Sequence, residues 1–225
     1  MELKGTKLNF LGDSITEGAG TSSHDKMFTM LIEREYGAIC QNYGIGGTRI
    51  ARQKTPTEEK WDRDFISRVP EMDNDADIVV VFGGTNDFGH GDAPIGTMSG
   101  DAPLGKMEDR TADTFYGALH CLYTALTEKY PGVPIVVLTP LHRITEDIPT
   151  GDNKPAPVGT LKEYVNIIRE VAEYYSLPVL DLFKESGLQP KIPIIQQKYI
   201  PDGLHPNDDG NAILAHKIAR FLETL

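Results

Sequence analysis

Short apolar runs and longer amphipathic stretches alternate along the 225 residues of this chain. Runs at 7–11, 38–43, 78–83, 134–139 and 177–181 read as strands. The third contains Ile78-Val79-Val80-Val81-Phe82 and the fourth Ile135-Val136-Val137-Leu138. Such continuous, β-branched runs suit strands that are covered on both faces. Residues 27–36, 113–129, 161–175 and 208–225 read as helices. In the last of these, Ile213, Leu214, Ile218, Phe221 and Leu222 recur at helical spacing and make one apolar stripe. Strands alternating with helices predict an α/β fold, with a parallel sheet and helices on both faces. No internal repeat, low-complexity tract or dividing linker is present, so residues 1–225 are expected to form a single domain.

Two stretches are longer than the connections usual in such a fold. Residues 88–111 are rich in Gly, Asp, Pro and Met and follow the third strand. Residues 141–159 carry Pro149, Pro155 and Pro157 and follow the fourth. Both begin at the carboxyl end of a strand, the edge at which open α/β sheets bind ligands. They are candidate walls of a binding site, with a surface insertion or a subunit contact as the alternative.

Charge and composition narrow the classes of function. A net charge of −11 argues against nucleic acid, because phosphate binding needs clustered Lys and Arg. It argues equally against an anionic membrane surface. No stretch approaches the ~20 apolar residues of a membrane span, so no stable membrane association is expected. The N-terminal residues lack a signal-like apolar core. Cys40 and Cys121 both sit in apolar settings and read as free, buried thiols, which fits a reducing, cytoplasmic location. Neither His-Glu-x-x-His nor a paired Cys-x-x-Cys occurs, so no catalytic metal is expected. Gly44-x-Gly46 is followed by Arg49 where a dinucleotide fingerprint needs a third glycine. Glu17 stands where a phosphate loop beginning at Gly12 needs glycine, and no Gly-x-Ser-x-Gly elbow occurs. No cofactor is implied.

The candidate chemistry begins with Gly12-Asp13-Ser14, directly after the apolar run Leu8-Asn9-Phe10-Leu11. A serine hydroxyl is a weak nucleophile unless a base takes its proton. Pro201-Asp202-Gly203-Leu204-His205-Pro206-Asn207 immediately precedes the last helix. Asp202 and His205, three residues apart in a proline-stiffened turn, can face one crevice as orienter and base. Asn42-Tyr43-Gly44-Ile45-Gly46-Gly47-Thr48 and Gly83-Gly84-Thr85-Asn86-Asp87 follow the second and third strands. From these, a Gly47 N–H and the Asn86 amide could meet a developing oxyanion. Taken singly, glycines after a strand usually serve a tight turn, and an Asn-Asp pair a turn or cap.

Together these blocks resemble the SGNH (GDSL-type) hydrolases. The Gly-Asp-Ser, the later glycine, the Gly84-Thr85-Asn86-Asp87 block and the C-terminal Asp202-Gly203-Leu204-His205 fall in the family's order across almost the whole chain. Ile15 stands where the family's common name implies Leu. The resemblance implies a flavodoxin-like three-layer α/β/α sandwich with a five-stranded parallel sheet. It implies that Ser14 attacks an acyl carbonyl, His205 moves the proton and Asp202 fixes the imidazole. The Ser14 N–H, the Gly47 N–H and the Asn86 side chain would form the oxyanion hole. Among Gly44, Gly46 and Gly47 the donor stays open, with the spacing of the block favouring Gly47. Asp13 and Asp87 are assigned structural hydrogen bonds within their loops.

His90, His142 and Arg143 lie in the two long stretches and are candidates for lining a substrate pocket. His24 and His216 read as surface residues and His120 as packed. Trp61 and Tyr199 read as pocket walls or as simply packed. The expected activity is hydrolysis of small-molecule carboxylic esters through an acyl-enzyme. Short acyl groups, including acetyl on a sugar, are favoured because 88–111 is Gly- and Asp-rich and offers no greasy lid. The alternatives are a lysophospholipase, a thioesterase, or a domain that binds carbohydrate or lipid without turning it over. Oligomeric state is not legible.

Overall fold

A computed structural model describes residues 1–53, 59–89, 104–149, 151 and 159–225. Five strands form one sheet: β1 (Lys7–Gly12), β2 (Ile39–Gly44), β3 (Ile78–Phe82), β4 (Ile135–Leu138) and β5 (Val179–Leu180). Ten α-helices are described: α1 (Ser14–Glu17), α2 (Phe28–Tyr36), α3 (Glu59–Asp62), α4 (Phe65–Arg68), α5 (Thr85–Gly89), α6 (Phe115–Lys129), α7 (Leu161–Tyr174), α8 (Leu182–Glu185), α9 (Pro193–Tyr199) and α10 (Asp208–Leu222). The strand order is β2-β1-β3-β4-β5 and every pairing is parallel, with Phe10 opposite both Asn42 and Val80. All five carboxyl ends therefore lie along one edge. The order reverses between β1 and β3, and open α/β sheets bind ligands at such a switch point.

Side chains alternate across the sheet, as the two-residue period of a strand demands. Leu11, Val79, Val81 and Val137 pack with Phe115, Leu122, Tyr164 and Ile168 of α6 and α7. Leu8, Phe10, Val80 and Val136 pack on the opposite face with Phe28, Ile32, Leu214 and Ile218 of α2 and α10. This is the expected three-layer α/β/α sandwich. The four long helices fall where periodicity puts them, ending within a few residues of the expected positions.

Three expectations need correction. β5 spans two residues where five were expected, because it pairs with β4 alone and Pro178 has no N–H to give. Asp181 then leaves the ladder to cap α8, accepting from the Lys184 N–H. Six one- or two-turn helices, among them α1 and α5, lie outside the four helices that periodicity predicts. Cys40 and Cys121 are free but half-buried, not buried. The setting of Cys40 still pushes its thiol up to about 12, chiefly by burial. Among the described residues, no helix is long and apolar enough to cross a membrane.

Candidate active site

Ser14 is presented by an abrupt strand-to-helix turn. A Cβ on Gly12, the last residue of β1, would sit 2.0 Å from Thr16 Oγ1, so the turn admits only glycine there. Asp13 caps α1 by accepting from the Ile15 N–H at 3.1 Å. It is 2% exposed, and burial pushes its carboxyl up to about 6 against the opposing pull of that N–H. Ser14 is the first residue of α1, where a backbone N–H has no intrahelical acceptor.

The turn between α9 and α10 brings His205 to the serine. Gly203 takes φ +80° and donates to Ile200 O at 2.8 Å, while Asn207 caps α10 and donates to Tyr199 O at 2.9 Å. His205 Nε2 lies 3.0 Å from Ser14 Oγ, and His205 Nδ1 lies 2.7 Å from Asp202 Oδ2. Asp202 Oδ1 accepts from the N–H groups of Leu204 at 2.8 Å and His205 at 2.7 Å. Partial burial works against the Asp202 carboxylate, but the imidazole and the two N–H donors outweigh it and hold the group at about 2. An ionised Asp202 accepts a hydrogen bond from Nδ1–H and so keeps the proton on that nitrogen, which leaves Nε2 free to accept from the serine hydroxyl. Gly20 lets the loop after α1 close on this turn: a Cβ there would meet Pro206 O at 2.6 Å and His205 Cβ at 3.0 Å.

The segment after β2 supplies the third part. Gly44 N–H is taken by Asn42 Oδ1 and Gly46 N–H by Glu17 Oε2, each at 2.8 Å. Among the described residues the Gly47 N–H has no such partner, so of the three it alone is uncommitted there. Gly47 holds φ +80°, and a Cβ would lie 2.4 Å from Trp61 Nε1, so the indole packs directly against it. Asn86, second in α5, donates one amide hydrogen to Thr48 O at 3.0 Å, and its other hydrogen remains. Asp87 accepts from the N–H groups of Ile50 at 3.0 Å and Ala51 at 2.8 Å, pinning the same segment from behind. Asp13 thus makes the hydrogen bond expected within its own loop, whereas these two bonds of Asp87 reach across to the segment after β2.

The remaining candidates divide. His142 is partly exposed; its Nδ1 lies 2.7 Å from Glu146 Oε2 and its ring 3.8 Å from that of Phe183. Two residues on, the Ile144 N–H donates to Gly203 O at 2.9 Å, which places this segment beside the Asp202–His205 turn. Arg143 does not line an open pocket. It is 3% exposed, lies over the Phe88 ring, and donates from Nη1 to Thr85 O and Oγ1 at 3.1 and 3.2 Å. It braces the helix that carries Asn86. His90 lies outside the described residues. His120 packs against Tyr174 and Tyr175, while His24 and His216 are exposed. Trp61 is packed, and Tyr199 is half-buried with Lys198 over its ring. Glu17 was missed; its signal is the i+3 spacing from Ser14 on a helix too short to show a period.

Comparison with known proteins gives the arrangement its relatives. The sequence profile described as the GDSL-like lipase/acylhydrolase family matches residues 10–213. One solved structure is 32% identical, with a TM-score of 0.82, and the match covers 100% of this chain and 99% of the other. A protein from Lactobacillus plantarum is 27% identical with a TM-score of 0.80, covering 98% of each chain. An acetyl xylan esterase shares the fold at 22% identity and a TM-score of 0.60, over 94% of this chain and 97% of its own. No curated relative matches the sequence.

Proposed function

We propose that this chain, which belongs to the GDSL-like lipase/acylhydrolase family, is a serine esterase that works through an acyl-enzyme on Ser14. The observation that carries this reading is the relay Ser14 Oγ, His205 Nε2, His205 Nδ1, Asp202 Oδ2, with contacts of 3.0 and 2.7 Å. His205 Nε2 takes the hydroxyl proton as Ser14 Oγ forms its bond to the acyl carbon. The carbonyl oxygen becomes an oxyanion, met by the N–H groups of Ser14 and Gly47 and the free amide hydrogen of Asn86. His205 then gives its proton to the departing alcohol as the acyl carbon–oxygen bond breaks. Water, deprotonated by the same imidazole, releases the acid and restores Ser14. Asp202 holds the ring in the tautomer both halves require.

The substrate reading is a small ester with a short acyl group, including acetyl on a carbohydrate. It is supported by the Gly- and Asp-rich composition of 88–111 and is in keeping with the acetyl xylan esterase that shares the fold. A series of aryl esters of increasing acyl length, run beside acetylated sugars, tests it. Highest kcat/KM at two to four carbons, roughly the span one small pocket discriminates, is expected. Highest activity on long chains, or on thioesters, favours a lysophospholipase or a thioesterase instead. No turnover of any of these, with substrate still bound, would make the domain a binder of carbohydrate or lipid.

A further inference from the structure

We propose that Arg68 is a positioning residue that holds the nucleophile turn and the oxyanion donors in one register. The inference rests on the esterase reading above. Arg68 closes α4 and is 2% exposed, yet among the described residues no carboxylate pairs with it at ion-pair distance. Its guanidinium donates instead to backbone and hydroxyl oxygens. Nη1 reaches Gly12 O at 3.1 Å and Tyr43 O at 2.5 Å, and Nη2 reaches Thr48 Oγ1 at 3.0 Å. A weaker bond runs from Nε to Asp64 O at 3.4 Å, and the group lies over the Phe65 ring at 4.7 Å.

The identity of these acceptors gives Arg68 its proposed role. Gly12 ends β1, two residues before the Ser14 N–H. Tyr43 and Thr48 bracket the segment that carries the Gly47 N–H. Thr48 also offers the carbonyl that orients the Asn86 amide at 3.0 Å. Every donor assigned to the oxyanion hole therefore stands within a residue or two of a group that Arg68 holds, or on a side chain that such a group orients. Phe65, beneath the guanidinium, packs where a Cβ on Gly83 would lie, 2.5 Å away, so the same unit also touches the start of the α5 turn.

An apolar side chain would fill the space without the desolvation penalty of a buried cation. Burial pulls the guanidinium down to about 10, so that penalty is felt. What the cation supplies is a planar fork whose terminal nitrogens satisfy three acceptors at fixed angles, one at the end of β1 and two flanking the Gly47 segment. A lysine cannot reproduce that geometry. Catalysis rewards it, because oxyanion donors act only if they are aimed before the reaction begins.

The test compares wild type with Arg68→Lys and Thr48→Val, on an aryl acetate and on a trifluoromethyl ketone that forms a tetrahedral adduct with the serine. Active sites are counted by fluorophosphonate titration, so that rates refer to folded, labelled enzyme. For Arg68→Lys, kcat per active site should fall about 100-fold, the cost that a misplacement of about 1 Å can carry, with KM nearly unchanged. Thr48→Val removes the charge-assisted bond from Arg68 together with the bond from Thr48 Oγ1 to Ile45 O, and kcat should fall about tenfold. Ketone affinity should drop in parallel with kcat/KM in both variants. A merely structural role would lower Tm and the number of active sites but leave kcat per site and ketone affinity as in wild type. That result overturns the proposal. If Arg68→Lys does not fold, Thr48→Val decides by the same criteria. If wild type itself neither labels nor turns over, the esterase reading fails and this one falls with it.

Discussion

In the proposed mechanism four side-chain atoms carry the chemistry: Ser14 Oγ, His205 Nε2 and Nδ1, and Asp202 Oδ2. Replacing Ser14 or His205 by Ala should lower kcat by several orders of magnitude while far-UV circular dichroism and Tm stay near wild type. Asp202 is held at about 2, so its sign is that of a depressed carboxylate. The stability it lends the turn is full above the ordinary carboxylate range and is lost as pH falls from about 4 towards 2. Asp13 has the opposite sign. Its carboxyl is raised from 3.8 to about 6, so the stability it contributes is complete below pH 4 and lost as pH rises through 6. The loss amounts to about 3 kcal/mol by pH 7. Asp13→Asn keeps an oxygen for the Ile15 N–H and removes that titration. Its Tm should exceed that of wild type at pH 7, and the gap should narrow at pH 4; equal Tm differences at both values count against a buried, strained Asp13. At this scale motif spacing was enough to anticipate that Ser14, His205 and Asp202 meet, which they do at 3.0 and 2.7 Å. It was a poor guide to Arg143, since nothing local distinguishes an arginine in a pocket from one buried under Phe88 and bonded to Thr85.

Elements differ in how plainly a sequence shows them. Continuous β-branched runs and fifteen-residue helices such as α6 and α10 impose a period that reads without ambiguity. α1 has four residues and α5 five, too few for any period. These two helices nonetheless aim Ser14 and Asn86, and their starts are marked by glycines and a cap more than by pattern. The glycines are therefore the place to perturb them. A Cβ on Gly44 would lie 2.2 Å from Glu17 N, a backbone atom of α1 that cannot swing aside. Gly44→Ala should cost about 1–3 kcal/mol, seen as a lower urea midpoint with the slope unchanged, and should reduce kcat by displacing α1. Gly132→Ala is the contrast. It has a positive φ of 80°, which Gly44 does not, and nothing within 4 Å of its Cβ, so it should show backbone strain alone and full activity. Equal loss of activity in both would mean that the α1–β2 contact does not position Ser14.

For the molecule as a whole, the parallel sheet gathers separate segments at one place. Ser14 follows β1, Gly47 follows β2, Asn86 follows β3 and His142 follows β4, all at carboxyl ends along a single edge. The turn bearing Asp202 and His205 closes over that edge at the reversal between β1 and β3. The alternation of strands and helices was enough to foresee this layout, since a parallel sheet with short crossovers leaves few other arrangements. Substrate preference was less legible. The stretches 88–111 and 141–159, expected to wall a pocket, have compositions that constrain shape only loosely. A net charge of −11 adds one expectation: esters with anionic alcohol portions should turn over more slowly than neutral ones at low salt, with the gap closing as salt rises. A gap independent of salt would place the discrimination in local contacts, not in the overall field.

The most direct measurement is the mass of the folded protein, and of its peptides, after exposure to a fluorophosphonate. One phosphonyl group on Ser14, formed in proportion to the loss of esterase activity and absent from Ser14→Ala, is the expected result. Activity that survives complete labelling of Ser14, or a label carried by another residue as activity disappears, would contradict the assignment of Ser14 as the nucleophile.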